Sequence, residues 1–81
     1  MPRSTKVVVR KLGRERAAGE AYYGCNEIAI DPRQTPSDYL DTLIHEGTHL
    51  AFPELNEEAV CTAATFISRI VWKHGYRKCD L

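Results

Sequence analysis

Eighty-one residues, 43 % of them hydrophobic and 27 % charged, describe one small domain over residues 1–81 and leave no room for a second. Eleven Lys and Arg balance eleven Asp and Glu, which removes the electrostatic case for a nucleic-acid or anionic-membrane partner. That balance conceals a pattern. Residues 1–26 are basic, residues 27–58 carry eight acids against Arg33 alone, and residues 59–81 are basic again. The acidic centre is where a hard cation would be expected to sit.

Lys6 to Leu12 reads as a strand, because three consecutive valines favour the pleated backbone. Gly13 to Gly19 is charged between its bounding glycines and reads as a loop. Ala21 to Ile30 reads as a second strand with a kink at Gly24, ended by Asp31-Pro32. Thr35 as N-cap, Pro36 at the first helical position and Asp38 near the positive helix end open a helix. Leu40, Leu43, Ile44, Gly47, Leu50 and Ala51 share one face of it, and Pro53 limits it, so it is expected over Pro36 to Ala51. Asn56 caps a second amphipathic helix from Glu57, with Ala59, Val60, Ala63, Ala64, Phe66, Ile67, Ile70 and Val71 as a wide apolar stripe. Trp72 ends the stripe as a core residue, Cys61 beside it reads as a small buried residue, and Lys73, His74 and Gly75 close the helix.

Cys25, Cys61 and Cys79 are odd in number and lack a C-x-x-C pair, which argues for a reducing, cytoplasmic setting rather than a disulfide framework. No apolar run is longer than three residues, Val7-Val8-Val9 among them, far short of a membrane span, and no apolar signal segment is expected at the start.

His45-Glu46-Gly47-Thr48-His49 is H-E-x-x-H inside the first expected helix. Residues i and i+4 stand above one another on a helix and aim two imidazoles at one point, a pairing suited to zinc. Glu46 is then directed beside the metal, where a carboxylate takes a proton from water. A catalytic zinc needs a third protein ligand. Glu57, at the start of the next helix and on the edge of its inward stripe, is the first candidate; Glu58 and His74 are the alternatives. Asp41, one turn before His45, reads as a solvated acid or as an acceptor for the outer N–H of a ligand imidazole.

A strand ending Asn26-Glu27-Ile28-Ala29-Ile30-Asp31, a helix running from Tyr39-Leu40-Asp41-Thr42-Leu43-Ile44 into the H-E-x-x-H, and Leu55-Asn56-Glu57 opening another helix resemble a minimal gluzincin. The likeness covers roughly Tyr22 to Tyr76 and is similar to very small zincins of phages and prophages, and more distantly to metallopeptidases of mobile elements that cleave repressors. It implies a minimal zincin: an α+β fold in which a two- or three-stranded sheet packs on two helices with the metal site between them. It implies, too, that Glu57 of the Asn56-Glu57 pair is the third zinc ligand and that the host cytoplasm is the setting if the chain is phage-borne. Seven residues separate His49 from Glu57, fewer than in larger gluzincins. The subdomain that supplies their oxyanion donor has no counterpart, leaving Tyr22, Tyr23, Tyr39, His74 and Tyr76 as candidates.

The expected function is a zinc-dependent metalloendopeptidase acting on a peptide or protein, with Zn2+ held by His45, His49 and Glu57 and Glu46 as general base. The alternative is a zinc-stabilised binding or regulatory module in which a fourth side chain, Cys61 or His74, closes the site. Tyr22 and Tyr23 are expected either beside a substrate groove or divided between core and surface. Lys6, Arg10, Arg14 and Arg16 make the N-terminal part basic and read as a solvated edge. Oligomeric state is not encoded in any pattern of the sequence.

Overall fold

A computed structural model describes residues 4–13 and 18–79. The fold is α+β: three short strands, β1 (Lys6–Val9), β2 (Gly19–Tyr22) and β3 (Glu27–Ile30), precede two helices, α1 (Pro36–Ala51) and α2 (Glu57–Lys73). The sheet order is β1-β3-β2. Central β3 runs parallel to β1, with Val7 opposite Ile28, and antiparallel to β2, with Gly19 opposite Ile30.

The first strand ends at Val9, three residues earlier than the valine run predicts. Leu12 is nevertheless buried, because its N–H donates to Asp31 Oδ2 at 2.9 Å, a side-chain partner in place of a ladder. The strand expected over Ala21 to Ile30 is two strands joined by a turn at residues 23–26. Asn26, at φ 52°, takes the left-handed conformation that reverses the chain; Gly24 does not, so the expected kink is a hairpin turn. Arg14 and Arg16 lie outside the described residues.

Both helices start where their caps predict. Thr35 Oγ1 accepts from the Asp38 N–H and Asn56 Oδ1 from the Ala59 N–H, satisfying amides that have no partner within the helix. Gly75, at φ 96°, closes α2 in the left-handed form that glycine adopts without penalty.

Ile28, Ala29 and Ile30 of β3, with Leu12, Val60 and Ala64, form the buried apolar core. α1 lies between the layers: it packs against β2, β3 and α2, whereas α2 packs on α1 and on no strand. The expected apolar face of α1 is only half-buried over Leu40 to Leu50, and Ala51 is exposed. The single buried residue of that helix is the carboxylate Glu46. On α2 the wide stripe narrows to buried Val60 and Ala64, while Phe66, Ile67 and Ile70 are exposed. A helix packed on one neighbour buries one line of side chains, and α2 has no second neighbour. Trp72 is half-buried rather than core, with the Arg77 guanidinium 3.4 Å from its ring centroid. Among the described residues no helix is long and apolar enough to cross a membrane.

Candidate metal centre

The turn from Phe52 to Asn56 is only five residues long. It brings the first residue of α2 back against the last two turns of α1. Glu57 places Oε1 2.7 Å from His49 Nε2 and Oε2 3.1 Å from His45 Nε2, so one carboxylate meets both imidazoles of the motif. The two rings stand 5.0 Å apart between centroids at an interplanar angle of 67°. Both histidine side chains are 18 % exposed and Glu57 is 66 % exposed, which leaves the cluster sheltered on the α1 side and open to solvent on the other.

Partial desolvation pushes the Glu57 carboxyl upward, but the hydrogen bond from His49 and the positive potential of both histidines outweigh it, so the net shift is downward. Glu46 behaves in the opposite way. Burial raises its pKa, the histidines oppose that rise without cancelling it, and Glu57 and Glu20 add to it. It is a buried carboxylate within the electrostatic reach of both imidazoles, and burial outweighs their charge.

Gly19 makes room for Glu46. A Cβ at Gly19 would stand 2.7 Å from Thr42 Cγ2, 3.1 Å from the Ala29 carbonyl oxygen and 3.1 Å from Glu46 Cγ, so only glycine lets β2 cross α1 this closely. Thr42 in turn donates to Gln34 Oε1 at 2.8 Å, and Gln34 donates to the Asp31 carbonyl at 2.7 Å. The start of α1 is thereby tied to the end of β3. Sequence reasoning took Gly19 only as a loop boundary; a lone glycine before a short strand carries no signal of what lies across from it.

Cys61 corrects an expectation. It is exposed, not buried, and its thiol points at Glu57 Oε2 across 3.8 Å. Ligand atoms of His45, Glu57 and Cys61 all lie within 4.8 Å of one another, and this group could hold a metal ion. His49 meets the other oxygen of the same Glu57 carboxylate. Partial desolvation and the nearby charges of Glu57 and Asp41 raise the Cys61 thiol above its ordinary range. The signal in the sequence was the spacing itself: Glu57 and Cys61 are four residues apart on α2, as His45 and His49 are on α1.

The other candidates lie elsewhere. Glu58 is exposed on the outer side of α2, and His74 caps the far end of that helix, with its ring 6.0 Å from that of Tyr76. Asp41 makes no hydrogen bond to either motif histidine among the described residues, and its charge acts on Cys61 instead. Tyr22 is engaged on β2, donating to Glu20 Oε1 at 2.7 Å and accepting from Arg10 at 2.7 Å, and the Glu20 bond raises its pKa. Tyr23 is exposed in the hairpin turn, while Tyr39 and Tyr76 line an apolar groove with Val7, Leu43 and Trp72. Tyr22, Tyr23, Tyr39, His74 and Tyr76 make no hydrogen bond or ring contact to the histidine pair among the described residues.

The donor set fits a borderline cation such as zinc. Within 4.8 Å of one another stand an imidazole nitrogen of His45, a carboxylate oxygen of Glu57 and the Cys61 sulfur, ligand types zinc selects, and His49 Nε2 lies 2.7 Å from the other Glu57 oxygen. No family model matches this chain, and neither a curated protein nor a solved structure matches it.

Proposed function

We propose that the protein is a zinc-dependent metalloendopeptidase whose metal is held by His45, His49 and Glu57. The observation that carries this proposal is one carboxylate, from the helix after the motif, meeting both motif imidazoles while Glu46 is buried beside them. Zinc bound there supplies a Lewis acid that polarises the scissile carbonyl and acidifies water. Glu46 accepts the proton of the attacking water and delivers it to the leaving amine, and burial, which raises its pKa above the ordinary glutamate range, favours it as the proton carrier. β2 is an edge strand that crosses α1 over Glu46 at Gly19, which supports an extended peptide as substrate, added along that edge by main-chain hydrogen bonds. Free Cys25, Cys61 and Cys79 fit action in a reducing compartment, and we assign it to the cytoplasm.

One observation favours the alternative of a zinc-stabilised binding module: Cys61 stands beside Glu57, where a fourth side chain would fill the position that a catalytic site keeps for water. Zinc content and cleavage of a degenerate peptide library, measured together, separate the two. The peptidase holds one zinc and cleaves, His45→Ala and His49→Ala lose the zinc, and Glu46→Gln keeps the zinc and cleaves nothing. Equal metal in wild type and both histidine variants overturns the site. Full zinc without cleavage in either wild type or Cys61→Ala establishes the binding module instead.

A further inference from the structure

Cysteine is among the residues most often buried in folded chains, yet Cys61 is exposed at the one surface where a thiol meets imidazole and carboxylate. Its sulfur lies 3.8 Å from Glu57 Oε2, against the ~3.6 Å that separates a thiolate sulfur and a carboxylate oxygen on one tetrahedral zinc. α1 and α2 each bring two donors one helical turn apart, His45 with His49 and Glu57 with Cys61, and the short turn between the helices sets the pairs face to face. Cys25 and Cys79 are exposed as well, and no such group forms around them among the described residues.

We propose that Cys61 is the fourth ligand of the zinc site, a thiolate latch that occupies the coordination position required by water. The proposal rests on His45, His49 and Glu57 holding zinc, and it assigns a resting, closed state to that same site. On coordination the S–H bond breaks, sulfur keeps the electron pair and donates it to the ion, and the proton passes to solvent. Sulfur is the softest donor present and the one zinc ranks high. The latch opens when a thiol-directed electrophile removes Cys61 from the site, leaving the three ligands in place.

Site-by-site alkylation of the full chain with iodoacetamide, with and without one equivalent of zinc, tests the latch, because Cys25 and Cys79 serve as internal controls. With the site at least nine-tenths occupied, Cys61 alkylation slows about tenfold or more, while Cys25 and Cys79 react at unchanged rates. With cobalt(II) in place of zinc, wild type shows a near-ultraviolet thiolate-to-metal charge-transfer band that Cys61→Ala lacks. Peptide cleavage by Cys61→Ala exceeds that of wild type at equal metal content. Alkylation of Cys61 at an unchanged rate with zinc bound, or a charge-transfer band that survives in Cys61→Ala, overturns the latch and leaves the three-ligand site standing. Wild type that binds no zinc overturns both, and a fall in cleavage by zinc-loaded Cys61→Ala overturns the latch alone.

Discussion

Two ionic clusters among the described residues, at Asp31 and at Glu57, are built in opposite ways. At the end of β3, Asp31 is 7 % exposed and accepts from the Leu12 N–H, the Arg33 N–H, Arg33 Nε and Arg33 Nη2 at 2.7 to 2.9 Å. Arg33 Nη2 also donates to the Leu12 carbonyl at 2.9 Å. These bonds hold the loop after β1 to the sheet, and the Arg33 guanidinium, joined by the two backbone amides, holds the Asp31 carboxyl well below the usual carboxylate range. The Glu57 carboxylate is two-thirds exposed and meets two imidazoles and the Cys61 thiol. In one cluster a buried carboxylate accepts from two backbone amides and a guanidinium; in the other an exposed carboxylate meets two imidazoles and a thiol. Charge and proximity look alike in both, and the difference between a structural clamp and a candidate site lies in how completely the acceptors are used.

The largest effect that sharpens this contrast is metal dependence. Zinc at a thousand times its dissociation constant should stabilise wild type by about 4 kcal/mol, seen as a higher thermal midpoint that chelator abolishes. His49→Ala should melt at the same temperature with or without zinc. Next comes Asp31→Asn, which leaves Arg33 and the Leu12 amide without their carboxylate and should lower the midpoint in zinc and in chelator alike. The folded-state pKa of Asp31 is depressed, so its contribution is complete above the ordinary aspartate pKa of about 3.9 and lost as the pH falls through the folded value. The wild-type advantage over Asp31→Asn should therefore be constant near neutrality and narrow as the pH falls below ~4 in thermal melts. Gly19→Ala should cost ~1–3 kcal/mol in denaturant unfolding, because a methyl group 2.7 Å from Thr42 Cγ2 forces α1 off the sheet. Smallest of all, Glu58→Gln should change stability by less than about 0.5 kcal/mol and zinc stoichiometry not at all. A loss of zinc in that variant, with Glu57→Gln retaining it, would reverse the assignment of the third ligand.

The two helices were legible in the sequence because their determinants are local. Thr35, Pro36, Asn56 and Gly75 act within one turn of the boundaries they set. The sheet was legible as a two- or three-stranded layer with a strand in the valine run, but its strand ends and the hairpin between β2 and β3 were not, since four-residue strands carry almost no periodicity and the turn at Asn26 lacks an Asn-Gly or Asp-Gly pair. The sequence placed Glu57 on the edge of the inward stripe of α2, and it stands against the histidines. Cys61 was misread for a related reason. A stripe eight positions wide assumes a helix packed on two sides, and α2 has one neighbour, so the outer flank that includes Phe66 and Ile70 faces solvent. What depends on tertiary closeness, such as Gly19 against Glu46, leaves no trace in a single sequence.

Among the described residues the backbone of α2 comes close to α1 and to no strand, so the seam between the helices is where a partial opening is expected. Peeling α2 away carries Glu57 and Cys61 off while His45 and His49 remain on the sheet-backed helix. Such a sub-global opening costs less than complete unfolding, so hydrogen exchange in α2 should be faster than in β3. The residence time of a bound ion would follow the life of the helical hairpin rather than that of the whole domain, and an ion spanning the seam would slow exchange in α2 more than anywhere else in the chain.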